Sequence, residues 1–187
     1  MSTEALLQLP LSLHLQVAAA TPTASAAQPT LSSLALYANW PVNLAVVLAT
    51  ACAVMLAVLI HYEGLQFFTS MQAAKRESSR PGRRTVLYVV FWLLGLHIAE
   101  IWTFGLAYHF LLQWPETGRI VGLPSTHIFD HIYFSATVFT TVGFGDLSPV
   151  GPIRFMAGTE GLTGFLLIGW SASFTYLEME TLWRRRG

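Results

Sequence analysis

Between Leu44 and Ile60 the chain carries no charged side chain. A hydrocarbon core about 30 Å thick takes about 20 helical residues to cross. The stretch from Pro41 to Ile60 supplies them, with Pro41 suited to a first helical turn and Tyr37 and Trp40 at interface depth. Two further stretches are long enough: Thr85–Leu112, which holds His97, Glu100 and His109, and Phe155–Leu177, which holds Glu160. Only 11% of the 187 residues are charged and 53% are apolar, against about 25% charged in an average soluble domain. That is too little charge to cover a soluble globule, so an integral membrane protein is expected. Lys+Arg and Asp+Glu balance at 10 each, which leaves no basicity for a nucleic-acid partner. Cys52, the only cysteine, lies in the first apolar run and cannot close an intrachain disulfide.

Basic residues set the expected orientation. Lys75, Arg76, Arg80, Arg83 and Arg84 fall between the first two spans, and Arg184, Arg185 and Arg186 close the sequence. Two crossings separate these clusters, so both fit the cytoplasmic side, with the N-terminus outside. Residues 1–40 are expected as an uncharged outer tail with Glu4 its one ionic group. Leu6–Ala20 and Ala24–Ala26 also pattern as a signal core and cleavage site, although no Lys or Arg precedes them. The region between spans two and three then enters from outside and returns there.

That region reads His131-Ile-Tyr-Phe-Ser-Ala-Thr-Val-Phe-Thr-Thr141-Val-Gly-Phe-Gly145-Asp146, with turn signals at Gly122–Ser125 and Pro149–Pro152 on either side. Its apolar helix, residues 129–140, is too short to span. The segment after it has no helical or strand partner, and such backbone is tolerated at membrane depth only where it is buried in protein or lines a watery path. Glycine alternating with larger residues lets successive carbonyls turn the same way. A ring of carbonyl oxygens can replace the hydration shell of a monovalent cation, and the C-terminal end of the short helix favours a cation.

Here the sequence resembles the potassium-channel pore family, whose filter reads TVGYG. The resemblance runs from about Tyr133 to Gly164 and more loosely back to Thr85. It implies potassium binding by Thr141, Val142, Gly143, Phe144 and Gly145, the first through side chain and carbonyl. It implies that Asp146 buttresses the filter, that Tyr133 and Phe134 belong to an aromatic cuff, and that Gly164 is a gating hinge. Phe144 stands where tyrosine is commoner, and Thr137 where some members carry an acidic residue behind the filter. One chain supplies one filter segment and a closed ring needs four, so a homotetramer is expected.

The expected fold is therefore an all-α membrane protein with three transmembrane helices plus a re-entrant pore helix and filter loop. Its parts are a peripheral helix 41–66, a basic cytoplasmic loop 67–84, a pore domain 85–177 and a tail 178–187. Within the pore domain the outer helix is 85–112, the pore helix 129–140, the filter 141–146 and the inner helix 153–177. No span has arginine at every third position, which argues against a voltage sensor, and too little chain follows Leu177 for a ligand-binding domain. The expected activity is a potassium-selective, background-type conductance in a bacterial inner membrane, tuned by pH, metal or lipid, with membrane lipid and potassium ions as its partners. Potassium is the permeant ligand, and no cofactor is expected. No nucleophile–base set or phosphate loop points to an enzyme.

Ionisable groups within spans are costly and informative. His97 and Glu100 share one face of span two; His61 and Glu63 fall toward the inner end of span one, about two turns nearer the cytoplasm. Three roles are open to them: a helix–helix hydrogen bond, a proton sensor, or a metal site built from His61, Glu63, His97 and Glu100. Glu160 is expected to accept a hydrogen bond from the pore helix or else to face the cavity and draw cations inward; it is also a candidate sensor or metal residue. His127 and His131 are expected as solvated loop and capping residues, with external proton or zinc block as the alternative. The competing functions are a poorly selective cation channel and a membrane metal-binding or redox protein using helices one and two.

Overall fold

A computed structural model describes residues 37–76, 83–123 and 127–184. The outer tail, the candidate cleavage site, Arg80, Ser125, Arg185 and Arg186 lie outside the described residues. The chain divides into two units, Met1–Ala38 and Asn39–Gly187, and the architecture below is that of the second. Its elements are helix α1 (Trp40–Arg76), helix α2 (Arg83–Leu111), a 3-10 turn (Pro115–Thr117), strand β1 (Arg119–Val121), helix α3 (Ile128–Phe139), strand β2 (Ser148–Val150) and helix α4 (Ile153–Arg184).

Helix α1 does not stop near residue 66. It has 37 residues, about 55 Å at 1.5 Å per residue, because nothing from His61 to Arg76 breaks a helix: Gly64 is isolated, and Gln66, Met71, Gln72 and Ala73 are strong formers. Helix α4 likewise passes Leu177 and ends with an exposed Glu180–Arg184 pair at 2.7 Å, one turn apart in the favourable order.

Two helices among the described residues are long and apolar enough to cross a membrane, Trp40–Ala73 and Thr85–Leu111. Only 28% and 17% of their apolar windows are buried, so most of that surface needs an apolar surrounding that the chain itself does not provide. Helix α4 is not among them; Arg154, Glu160 and its glycine, serine and threonine positions lower its hydropathy.

The core forms around α3. Ala53 and Ala57 of α1, Phe104 and Tyr108 of α2, and Ile153, Met156, Ala157 and Leu167 of α4 close on Phe134 and Phe139 of α3. A second cluster, Leu65 and Phe68 against Val89 and Leu93, joins α1 to α2 and takes in Phe174 of α4. Antiparallel β1 and β2, with Ile120 opposite Pro149, add a small sheet to the expected all-helical fold. Three residues per strand leave too little alternation for the sequence to announce them. The ribbon is tight: a Cβ on Gly118 would lie 2.2 Å from the Val150 carbonyl oxygen and one on Gly122 2.1 Å from that of Asp146.

Candidate functional site

Helix α3 has 12 residues, about 18 Å, and delivers its C-terminus to the segment 140–146. His127 caps its N-terminus through Nδ1, which accepts from the Phe129 amide at 3.4 Å. His131 is not solvated as expected. It is 2% exposed, its Nδ1 faces the His127 carbonyl at 3.0 Å, and its ring stands against His109 at 5.3 Å. Burial pushes its imidazole below the ordinary range, His109 adds to this, and the His127 carbonyl and Asp130 oppose it.

Past the helix, positive φ recurs at every second residue: Thr141 at 58°, Gly143 at 49° and Gly145 at 83°. Val142 and Phe144 between them do not share it. Alternating handedness of this kind turns successive carbonyls toward one side of the chain. Thr141 is the only non-glycine with positive φ among the described residues, a conformation that costs a side-chain-bearing residue on the order of 1–3 kcal/mol. The last turn of α3 holds the segment in place, since the Thr141 amide donates to the Val138 carbonyl at 2.9 Å and the Gly143 amide to that of Thr137 at 3.1 Å. A Cβ at Gly143 or Gly145 would meet nothing within 4 Å, and Val142 and Phe144 are 55% and 70% exposed.

Tyr133 does reach the segment. Its hydroxyl donates to Asp146 Oδ2 at 2.9 Å and its ring stacks on Phe144, 6.5 Å away and 3° from parallel. Phe134 does not; it is buried against Tyr108, 5.0 Å between ring centroids. The Thr137 hydroxyl turns back to the Phe134 carbonyl at 2.8 Å, so this residue supports the segment through its backbone. Behind α3, Glu160 accepts from the Tyr108 hydroxyl at 2.7 Å and contacts the Ser135 hydroxyl. Ser135 also lies 2.9 Å from the Ile101 carbonyl. A hydroxyl has one proton, so both Ser135 contacts are hydrogen bonds together only when Glu160 donates to Ser135 Oγ. Gly164 packs on the end of α3 within contact distance of Phe139, which accounts for the glycine by close approach.

Below the segment, Thr140 and Thr141 and the α4 residues Phe165, Leu166, Ile168, Gly169 and Ala172 line an open cavity of about 420 Å³.

The structure brings together His61, His97 and Glu100. Glu100 Oε1 lies 2.8 Å from His61 Nδ1 and Oε2 lies 2.8 Å from His97 Nδ1. The two imidazoles are 5.5 Å apart, not two turns. The longer α1 is the reason: His61 stands 15 residues before Arg76 and His97 stands 14 after Arg83, so antiparallel helices put them level. Glu63 is exposed and Glu160 belongs to the Tyr108–Ser135 set; neither joins this cluster. Ser171 of α4, to which the sequence alone assigns no role, completes it, with Oγ 3.0 Å from His97 Nε2.

Residues 96–177 match the family model described as "Ion channel". The matched stretch begins beside His97 in α2, takes in α3 and the alternating segment, and ends in α4 at Leu177. The ion-channel match leaves α1 and His61 outside it. No curated protein and no solved structure matches the chain. The match to an ion-channel model over residues 96–177 and the two helices of membrane-spanning length both fit a membrane protein.

Proposed function

We propose that this chain is the subunit of a homotetrameric potassium-selective channel, with the carbonyls of Thr141, Val142, Gly143, Phe144 and Gly145 as the ion-binding ring. The observation that carries this reading is the alternation of positive φ at residues 141, 143 and 145, inside a stretch that matches an ion-channel family. Carbonyls aimed one way and supplied by four copies replace the hydration shell of a dehydrated cation. The C-terminal end of α3, the negative pole of its dipole, points at the same place.

Several features of the single chain fit a four-fold assembly. Val142 and Phe144 are exposed apolar side chains, and the cavity beneath Thr140 and Thr141 is open on one side. Both are covered when copies meet around an axis, with α4 as the inner helix facing it. In this reading α4 is the third span, α1 is peripheral, the N-terminus faces outward and the C-terminus the cytoplasm, in a cell membrane. Nothing in the spans resembles an arginine-rich voltage sensor, so the conductance is of background type.

The test is ion flux from liposomes holding purified protein, followed by reversal potentials in mixed potassium and sodium. Potassium flux that is abolished by Gly143→Ala, with a reversal potential tracking the potassium gradient, is the expected result. A reversal near zero in mixed salts makes the channel a poorly selective cation pathway. Monomeric particles, or flux indifferent to Gly143→Ala, overturn the carbonyl ring.

A further inference from the structure

The geometry points to a divalent transition-metal site at His61, His97 and Glu100, separate from the conduction pathway and independent of the conduction reading. One nitrogen from each imidazole and one carboxylate oxygen all lie within 4.8 Å of one another. His61 and Glu100 are fully buried, and both carboxylate oxygens meet imidazoles rather than a lysine or arginine. A carboxylate in such surroundings requires a positive counterpart. Two imidazoles and a carboxylate are the donor set of zinc and non-haem iron sites.

The distances suit replacement of the shared protons by an ion. Metal–ligand bonds of about 2.0–2.2 Å put tetrahedral ligands about 3.3 Å apart, so each 2.8 Å imidazole–carboxylate pair opens by roughly half an ångström. When Nδ1 of His97 turns to a metal, its proton moves to Nε2, where the Ser171 hydroxyl can accept it. Serine serves as donor or acceptor, and an imidazole whose far nitrogen is bonded in this way is a well-oriented ligand. His61 Nε2 is buried with no hydrogen-bond partner, and its ring lies 5.3 Å from Trp170. Moving the His61 proton to that nitrogen leaves it without an acceptor, so the metal–nitrogen bond must outweigh one unpaired buried N–H. The ion would join α1 and α2 directly and reach α4 through Ser171.

Full-length protein in detergent, stripped with a chelator and dialysed against zinc chloride, gives the test by elemental analysis. The expected result is about one zinc per chain, and with cobalt(II) in its place visible d–d absorption of a low-coordinate nitrogen–oxygen site. His61→Gln and Glu100→Gln should each abolish that stoichiometric binding. Ser171→Ala should weaken it about 10- to 100-fold, and Glu63→Gln should leave it intact. Parent protein that takes up less than a tenth of an equivalent overturns the site, whatever its flux. So does parent protein whose uptake is unchanged by both His61→Gln and Glu100→Gln; the ion is then on exposed histidines and Glu100 is balanced by a proton. Because the parent alone can fail the assay, a variant that does not fold leaves the inference testable, and normal potassium flux without zinc uptake removes the metal site only.

Discussion

A Cβ atom on Gly164 would lie 2.0 Å from the carbonyl oxygen of Phe139. Helix α4 therefore touches the last turn of α3 backbone to backbone, at the residue that precedes the alternating segment. Gly164→Ala must push α3 or α4 aside. A loss of about 1–3 kcal/mol, seen as a lower melting temperature in detergent together with reduced flux, is expected. Gly158→Ala is the comparison, because its Cβ would meet nothing within 4 Å, and stability should hold or rise by up to about 1 kcal/mol. A hinge without a packing role would leave Gly164→Ala fully stable and alter only gating.

Tyr133→Phe removes the hydroxyl that reaches Asp146 while keeping the ring on Phe144. The bond is exposed in the single chain, so its loss should cost at most about 1 kcal/mol of stability. Its effect should fall on conduction, as faster decay of current during sustained recording. Current that decays at the parent's rate would show that Tyr133 does not brace the segment.

Glu160 acts as a donor toward Ser135 and as an acceptor toward Tyr108 when both Ser135 contacts are hydrogen bonds. Glu160→Gln keeps one donor for Ser135 and one acceptor for Tyr108, so melting temperature and flux should stay near the parent's. Glu160→Leu strands the Tyr108 hydroxyl in a buried site, while Ser135 keeps the Ile101 carbonyl, and should cost about 1–3 kcal/mol. If the glutamine variant were as damaged as the leucine variant, an ionised carboxylate would be needed there.

His131 yields a dependence on pH. Its folded imidazole binds a proton less readily than the unfolded one. The contribution to stability is therefore complete above the unfolded value of 6.5 and declines as pH falls from there through the lower folded value. Melting temperature should drop between about pH 7.5 and 5.5, and His131→Gln should remove part of that slope. An identical slope in the variant would assign the dependence to other groups.

What could be read in advance was what one segment does by itself. The alternating segment announced itself because its chemistry lies in the backbone, and glycine at residues 143 and 145 marks where positive φ is needed. The apolar runs of α1 and α2 did so through composition. The pairings between helices were harder, since they depend on where helices end. Placing the end of α1 near residue 66 rather than at Arg76 misaligned His61 and His97 and made the metal reading look remote. The sequence points Glu160 at the pore helix, where it meets Ser135, but nothing in it singles out Tyr108, 52 positions away. Phe134 is placed in an aromatic cuff by the family resemblance, whereas within the single chain its ring packs on Tyr108.

The bonds Tyr108–Glu160 and His97–Ser171 join α2 to α4 at two heights, 11 residues apart along each helix. Gly164 lies on α4 between these two rungs. The lower half of α4 can leave α2 only if Ser171 parts from His97, whatever the upper rung does. That part-buried bond contributes about 1 kcal/mol, a several-fold preference for keeping the lower rung closed. Whatever strengthens or weakens His97's hold on that serine therefore changes how firmly the lower half of α4 is held to α2.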